Sequence, residues 1–131
     1  MLVAAIRSRR GAAFKALSLV GKGRFDIVLS VPLALEYEDA LLRHAEEAGL
    51  TNDDVEALVD YLCKVGIHQP VFFLWRPLLP DPKDDMVVEA AIAGGCGFII
   101  TFNLRDFSPA VGLGIDIVTP AQFLSHLGET A

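Results

Sequence analysis

Two stretches of the sequence decide the fold: residues 78–85, which read LLPDPKDD, and residues 97–107, which read GFIITFNLRDF. The second stretch begins with an apolar run that is typical of a strand buried on both faces. Between the two stretches, the sequence predicts a helix that opens at Asp84 or Asp85 and ends at Gly94-Gly95. A helix that leads into a buried strand is the repeating unit of a parallel α/β sheet.

Three further apolar runs predict strands, at Phe25–Leu29, Val71–Trp75 and Ile115–Val118, and helical segments alternate with them. This alternation predicts a three-layer α/β/α sandwich with a mostly parallel central sheet. Neither a linker nor a repeat divides the chain, so we expect a single domain over residues 1–131. In such sheets the functional site lies beyond the carboxyl ends of the strands.

The composition excludes several classes of protein. Of the 131 residues, 53% are hydrophobic and 21% are charged, which is the opposite of the composition of disordered chains. The apolar runs are far shorter than the roughly 20 residues that a membrane helix needs. The two cysteines show no CxxC spacing, so neither a disulfide framework nor a zinc site is indicated. We therefore expect a cytoplasmic protein.

The net charge of −6 is unevenly distributed along the chain. Six of the eleven Lys and Arg residues precede the first acid, Asp26, and they include Arg7, Arg9 and Arg10. This basic segment either contacts the phosphate backbone of a nucleic acid or forms a solvated helix face. The charge pattern does not choose between these interpretations.

Acidic residues follow three of the predicted strands. They are Glu36, Glu38 and Asp39 after the first strand, Asp81, Asp84 and Asp85 before the helix at 84–93, and Asp106 with Asn103 after the strand at 97–102. Each acid alone is explained as a helix cap or a turn residue. Gathered at one sheet edge, the carboxylates repel each other unless a cation pairs them, and oxygen ligands suit Mg²⁺ or Mn²⁺. The sequence thus predicts a metal site at this edge.

The sequence resembles the PIN-domain family, and within it the VapC-like toxin components of toxin–antitoxin systems. The run at 78–85 and the run at 97–107 carry the resemblance most specifically. The segment Ser30–Glu38 is similar to the first long helix of the family, and Thr119–Phe123 to its C-terminal end. The likeness extends over nearly the whole chain.

The resemblance implies an activity, a cofactor and partners. Family members are Mg²⁺- or Mn²⁺-dependent ribonucleases, so RNA and a cognate antitoxin protein are the implied partners. By position, the implied metal ligands are Glu36, Asp84, Asp106 and Asp85, and the first three are also the catalytic residues. Thr101 and Asn103 would orient water or phosphate, and Arg7, Arg9 and Arg10 would contact the RNA backbone.

The sequence departs from the family at its start. The family begins with an apolar strand that ends in an Asp, and residues 1–5 have no counterpart of either. Without this strand, the strands at Phe25–Leu29 and Gly97–Phe102 would face a gap. We therefore expect that the two strands pair directly, that Met1–Ile6 fills the gap, or that a second copy does so in a homo-oligomer.

Two rival functions stay open at this stage. A chain that lacks one metal ligand could be a non-catalytic module that binds RNA or an antitoxin. A flavodoxin-like domain phosphorylated at Asp85 or Asp106 fits the architecture, but no Lys is placed for that chemistry.

Overall fold

The computed structural model describes residues 1–8, 10–71 and 78–129 of the chain. The helices are α1 (Leu2–Arg7), α2 (Ala12–Ser18), α3 (Val31–His44), α4 (Asn52–Val65), α5 (Pro82–Ala93), α6 (Leu104–Phe107) and α7 (Pro120–His126), with a 3₁₀ helix at Ser108–Leu113. The strands are β1 (Val28–Leu29), β2 (Ile67–His68), β3 (Phe98–Ile100) and β4 (Asp116–Val118). No helix in the described part of the chain combines the length and the apolar character needed to cross a bilayer.

The strands form two separate parallel pairs. Strand β1 pairs with β2 in the register Val28↔Ile67, and β3 pairs with β4 in the register Ile99↔Ile117. The predicted α/β class is therefore confirmed, but the described strands make two two-stranded sheets rather than one. A three-layer sandwich around a single sheet stays a prediction. The strand predicted at Val71–Trp75 lies, apart from its first residue, outside the described residues.

Side-chain caps explain where the helices begin. The Ser30 hydroxyl accepts from the Leu33 amide at 3.2 Å at the start of α3. Thr51 and Thr119 form capping boxes at α4 and α7. Helix α5 begins earlier than predicted, at Pro82, because Asp81 is its N-cap residue. Asp84 and Asp85 therefore lie inside the first turn of α5.

Helix α5 lies at the centre of the packing. It contacts β1, β3 and α3, and its Val88 and Ala91 are buried in one core cluster with Ile99 and Phe107. A second core cluster, around Leu41 and the residues of α4, lies between α3 and α4. The helix thereby connects the two strand pairs while its first turn stays at the carboxyl end of β3.

An apolar cavity of about 420 Å³ separates the two strand pairs. We call it the slot. It is lined by residues 25–29 on one side and 96–101 on the other. Two of the arrangements expected from the sequence are wrong, because β1 and β3 do not pair with each other and Leu2–Arg7 forms a helix. Residues 1–6 therefore do not fill the slot as a strand.

Candidate functional site

Four acids gather where β3 ends and α5 begins: Asp81, Asp84, Asp85 and Asp106. We call this group the acidic edge. Asp81 accepts the Lys83 amide through Oδ1 at 2.9 Å, so it closes the first turn of α5. Carboxylates are favourable at this end of a helix because free amide groups and the helix dipole are positive there. Position on the helix thus explains part of the clustering without a ligand.

The Asp84 carboxyl is partly buried and lies close to other acids. Burial and the negative charges of Asp81, Asp106 and Asp85, in that order, raise the pKa of the Asp84 carboxyl, and the Met1 ammonium opposes them. Repulsion from these neighbouring acids thus adds to burial in disfavouring the Asp84 carboxylate. A cation at the acidic edge would relieve this repulsion.

Asp106 is held in place by its neighbours at the end of β3. The Asn103 side-chain amide donates to Asp106 Oδ2 at 2.6 Å. The Asn103 backbone amide in turn donates to the Thr101 hydroxyl at 3.0 Å, and Thr101 is only 9% exposed. Thr101 and Asn103 therefore fix the position of Asp106. Their predicted role in orienting water or phosphate stays a prediction.

Glu36 is engaged by cations. Its Oε1 lies 3.5 Å from Lys83 Nζ and 3.6 Å from an Arg43 guanidinium nitrogen. Lys83 belongs to the first turn of α5, so this ion pair brings the α3 carboxylate close to the acidic edge. The geometry connects Glu36 to the site through Lys83, and its role as a metal ligand stays a prediction.

Two acids of α5 are buried: Asp85, a member of the acidic edge, and Glu89. Asp85 is 1% exposed, and its Oδ1 accepts the Leu79 amide at 3.0 Å. Glu89 is 3% exposed and lines a pocket of about 350 Å³ beyond the carboxyl ends of β1 and β2. The sequence analysis did not single out Glu89, although its spacing of four residues from Asp85 places both on one helix face. The hydrogen bond from the Leu79 amide means that at least one Asp85 oxygen anchors the loop before α5.

The donor set only partly fits a divalent metal. No three His, Cys, Asp or Glu side chains among the described residues are grouped closely enough to hold an ion. Asp84 and Asp106, however, are hard oxygen donors whose charges interact. Mg²⁺ is commonly bound by one or two carboxylates, several waters and substrate phosphates. The acidic edge therefore fits a weakly bound Mg²⁺ or Mn²⁺.

The basic segment gives weaker evidence for a ligand site than the acidic edge does. Arg7 ends α1, and its Nε lies 3.2 Å from Glu47 Oε1. The hydrogen bond with His44, and to a smaller extent the charge of Arg7, lower the pKa of Glu47. Arg10 is exposed, and Arg9 lies outside the described residues. Contact with an RNA backbone stays a prediction for all three arginines.

The parallel strands, with acids beyond the carboxyl end of β3, define an α/β domain whose candidate site lies at the sheet edge. The PIN domain family matches residues 1–105, about four-fifths of the chain, and the chain belongs to that family. The family has a nuclease-type fold and generally uses divalent metals, binds RNA and often binds antitoxin partners. Neither the curated proteins nor the solved structures contain a significant match.

Proposed function

We propose that the protein is a Mg²⁺- or Mn²⁺-dependent ribonuclease and the VapC-like toxin component of a toxin–antitoxin system. One observation carries the proposal: at the start of α5, burial and the carboxylates of Asp81, Asp106 and Asp85 together raise the pKa of Asp84. Such unrelieved repulsion beside the end of a parallel strand is typical of a site built for a cation and a phosphate. Membership of the PIN domain family supports the nuclease class.

The residues of the acidic edge have separate tasks in this proposal. Asp84 and Asp106 would hold the metal, which when bound would activate water and neutralise charge on the phosphodiester. Asn103 keeps one Asp106 oxygen in place through the 2.6 Å hydrogen bond. Lys83, half exposed beside Glu36, is positioned to attract the phosphate backbone.

A second candidate function is a non-catalytic module that binds RNA or an antitoxin. The observation that favours it is the same one that weakens the metal site: the described residues contain no group of three metal-binding side chains. Glu36, which the sequence analysis assigns as a ligand, instead contacts Lys83 and Arg43. The two functions differ in whether RNA is cut.

Cleavage of a fluorescent single-stranded RNA tests the proposal. We expect turnover with Mg²⁺ or Mn²⁺, loss of turnover with EDTA, and a loss of about 10²-fold or more in Asp84→Asn and Asp106→Asn, as removing a metal ligand or its support typically causes. Asp60→Asn is the matched control, because Asp60 is an exposed acid on α4, away from the acidic edge.

Two results would contradict the nuclease. Equal activity in all three variants would show that the acidic edge is not the catalytic site. RNA binding without cleavage by the folded chain, in either metal, would favour the binding module instead.

A further inference from the structure

The loop that joins β3 to α6 exposes an aromatic ring beside the acidic edge. Phe102 is 56% exposed, and it is the most exposed of the phenylalanines that the structure describes. Phe107, further along the same segment, is 4% exposed and belongs to a core cluster. One aromatic side chain of this segment therefore contributes to the core, while the other faces solvent at the carboxyl end of β3.

The backbone that carries the Phe102 ring is held on both sides. The Thr101 amide donates to the Val118 carbonyl at 2.9 Å, and the Thr101 hydroxyl accepts from the Asn103 amide at 3.0 Å. The Asn103 side chain in turn donates to Asp106 Oδ2 at 2.6 Å. Because consecutive Cα atoms are about 3.8 Å apart, Phe102 lies directly beside the residue that fixes this carboxylate. An ordered loop thus presents the ring at the acidic edge.

An exposed cation follows on the same segment. Arg105, in α6, is exposed and forms no ion pair within the described part of the chain. Adjacent residues of a helix do not face each other, and Asp106 accepts from Asn103 instead. The guanidinium groups of Arg7 and Arg43, by contrast, both contact glutamates. Arg105 therefore keeps its charge available for an anion close to the Phe102 ring.

An unpaired nucleotide has the chemistry that matches this ring and this cation. Every nucleobase has a π face that stacks on an aromatic side chain, whatever the sequence. Such stacking requires bases that are splayed out of a duplex, as in single-stranded RNA. A guanidinium attracts the phosphate of the same strand, which the carboxylates of the acidic edge would otherwise repel. One nucleotide thus supplies a flat apolar face for the ring and a negative charge for the cation.

We propose that the Phe102 ring stacks on the base of an unpaired RNA nucleotide next to the phosphodiester at the acidic edge, while Arg105 contacts a phosphate of the same strand. The inference rests on RNA being the ligand of the proposed function, but it concerns binding and holds whether or not the RNA is cut. Phe102 is then a substrate-binding residue that favours single-stranded over duplex RNA, because the bases of a duplex are already stacked on each other.

A protein partner fits this surface less well. The centre of a protein interface is depleted of charged side chains. Here the exposed Arg105 and the partly buried Asp106 follow within four residues of the Phe102 ring. An apolar peptide that covered the ring would leave the Arg105 charge without a partner, whereas a nucleotide engages both groups.

Binding of a short fluorescein-labelled single-stranded RNA, measured by anisotropy at low salt with EDTA, tests the proposal. The comparison probe is the same ribose-phosphate chain without bases, which keeps the charge and removes the stacking faces. Phe102→Leu keeps an apolar side chain but loses the ring, so it should bind the normal RNA about tenfold more weakly and the abasic chain as the wild type does. Phe102→Trp should retain the affinity, and only the normal RNA should quench its additional tryptophan emission.

Two variants separate base stacking from charge and from general surface effects. Arg105→Gln should weaken binding of both probes equally and reduce the slope of log affinity against log salt concentration by about one, as loss of a phosphate contact does. Phe14→Leu removes another exposed ring, on α2, which packs on α1 and α7, and it should change neither affinity.

The outcomes distinguish this inference from the proposed nuclease. Equal binding of the normal RNA by wild type and Phe102→Leu, or equal binding of both probes by the wild type, would overturn the stacking even if Mg²⁺-dependent cleavage is found. Wild-type affinity in Arg105→Gln would overturn the phosphate contact. RNA that is bound through Phe102 but not cut in Mg²⁺ would refute the nuclease alone, and failure of the wild type to bind RNA would overturn both. A Phe102→Leu variant that changes self-association in sedimentation, with RNA affinity unchanged, would identify a protein contact and also overturn the stacking.

Discussion

Replacing Asp84 by asparagine should change the stability of the protein in opposite directions with and without metal. The pKa of Asp84 is raised in the folded protein by burial and by its acidic neighbours. The charged carboxylate is therefore less favourable in the folded state than in the unfolded state. The Asp84→Asn substitution removes the charge at nearly constant shape, so the metal-free variant should be more stable than the wild type at pH 7.

The pH dependence has a definite sign. A carboxyl with a raised folded-state pKa contributes stability below its unfolded pKa, about 3.9, and loses it as pH rises through the folded value. The advantage of Asp84→Asn should therefore be largest near neutral pH and vanish in acid. Because Asp84 is partly exposed, the gain should be about 0.5 kcal/mol, as for other solvent-screened charge pairs.

Magnesium should reverse the order of stability. A ligand that binds only the folded state stabilises it by RT ln(1 + [L]/Kd), about 1.4 kcal/mol for roughly 10 mM Mg²⁺ and a Kd of about 1 mM. The wild type should gain this amount, and Asp84→Asn should gain little. In about 10 mM Mg²⁺ the wild type should then be the more stable protein by about 0.9 kcal/mol, the difference between the two effects.

Urea denaturation of both proteins, with and without Mg²⁺ at matched ionic strength, measures these differences, and Asp60→Asn serves as the control. Isothermal titration gives the affinity directly, and a micromolar or tighter Kd would contradict the weak site argued from the incomplete ligand set. If Mg²⁺ stabilised the wild type and Asp84→Asn equally, Asp84 would not be a metal ligand and the reasoning would fail.

Two further predictions concern stability alone. Asp85→Ala should lower the free energy of unfolding by about 2–3 kcal/mol, since it leaves the buried Leu79 amide without its acceptor, whereas Asp85→Asn keeps an acceptor and should cost less. Equal losses in urea denaturation would refute this role. Gly21→Ala should cost more than Gly23→Ala, which incurs only the left-handed strain of about 1–2 kcal/mol. Both glycines have φ of +80°, but a Cβ at Gly21 would clash with the Tyr61 hydroxyl oxygen, whereas no atom of the described residues lies within 4 Å of one at Gly23; equal melting temperatures would contradict this difference.

The sequence predicts those parts of the fold that depend on neighbouring residues. Ser30 and Thr51 are residue types that favour helix N-caps, and Pro120 is favourable at a first helical position. All three stand at helix starts in the structure, because such signals act within one turn. The start of α5 is predicted too late because three acids, Asp81, Asp84 and Asp85, are all favourable near a helix N-terminus. The Pro82 that follows Asp81 was the usable signal, since proline is preferred at the first helical position.

The sequence does not determine which strands pair or which distant side chains meet. The apolar runs locate β1, β3 and β4 to within a few residues, but hydrophobicity cannot show that β1 pairs with β2 and not with β3. Similarly, the placement of acids after neighbouring strands predicts that Asp84 and Asp106 lie close together, which the effect of the Asp106 charge on the pKa of Asp84 supports. The sequence cannot predict that Lys83 and Arg43 form ion pairs with Glu36, because the partners of long side chains are determined only by the folded structure.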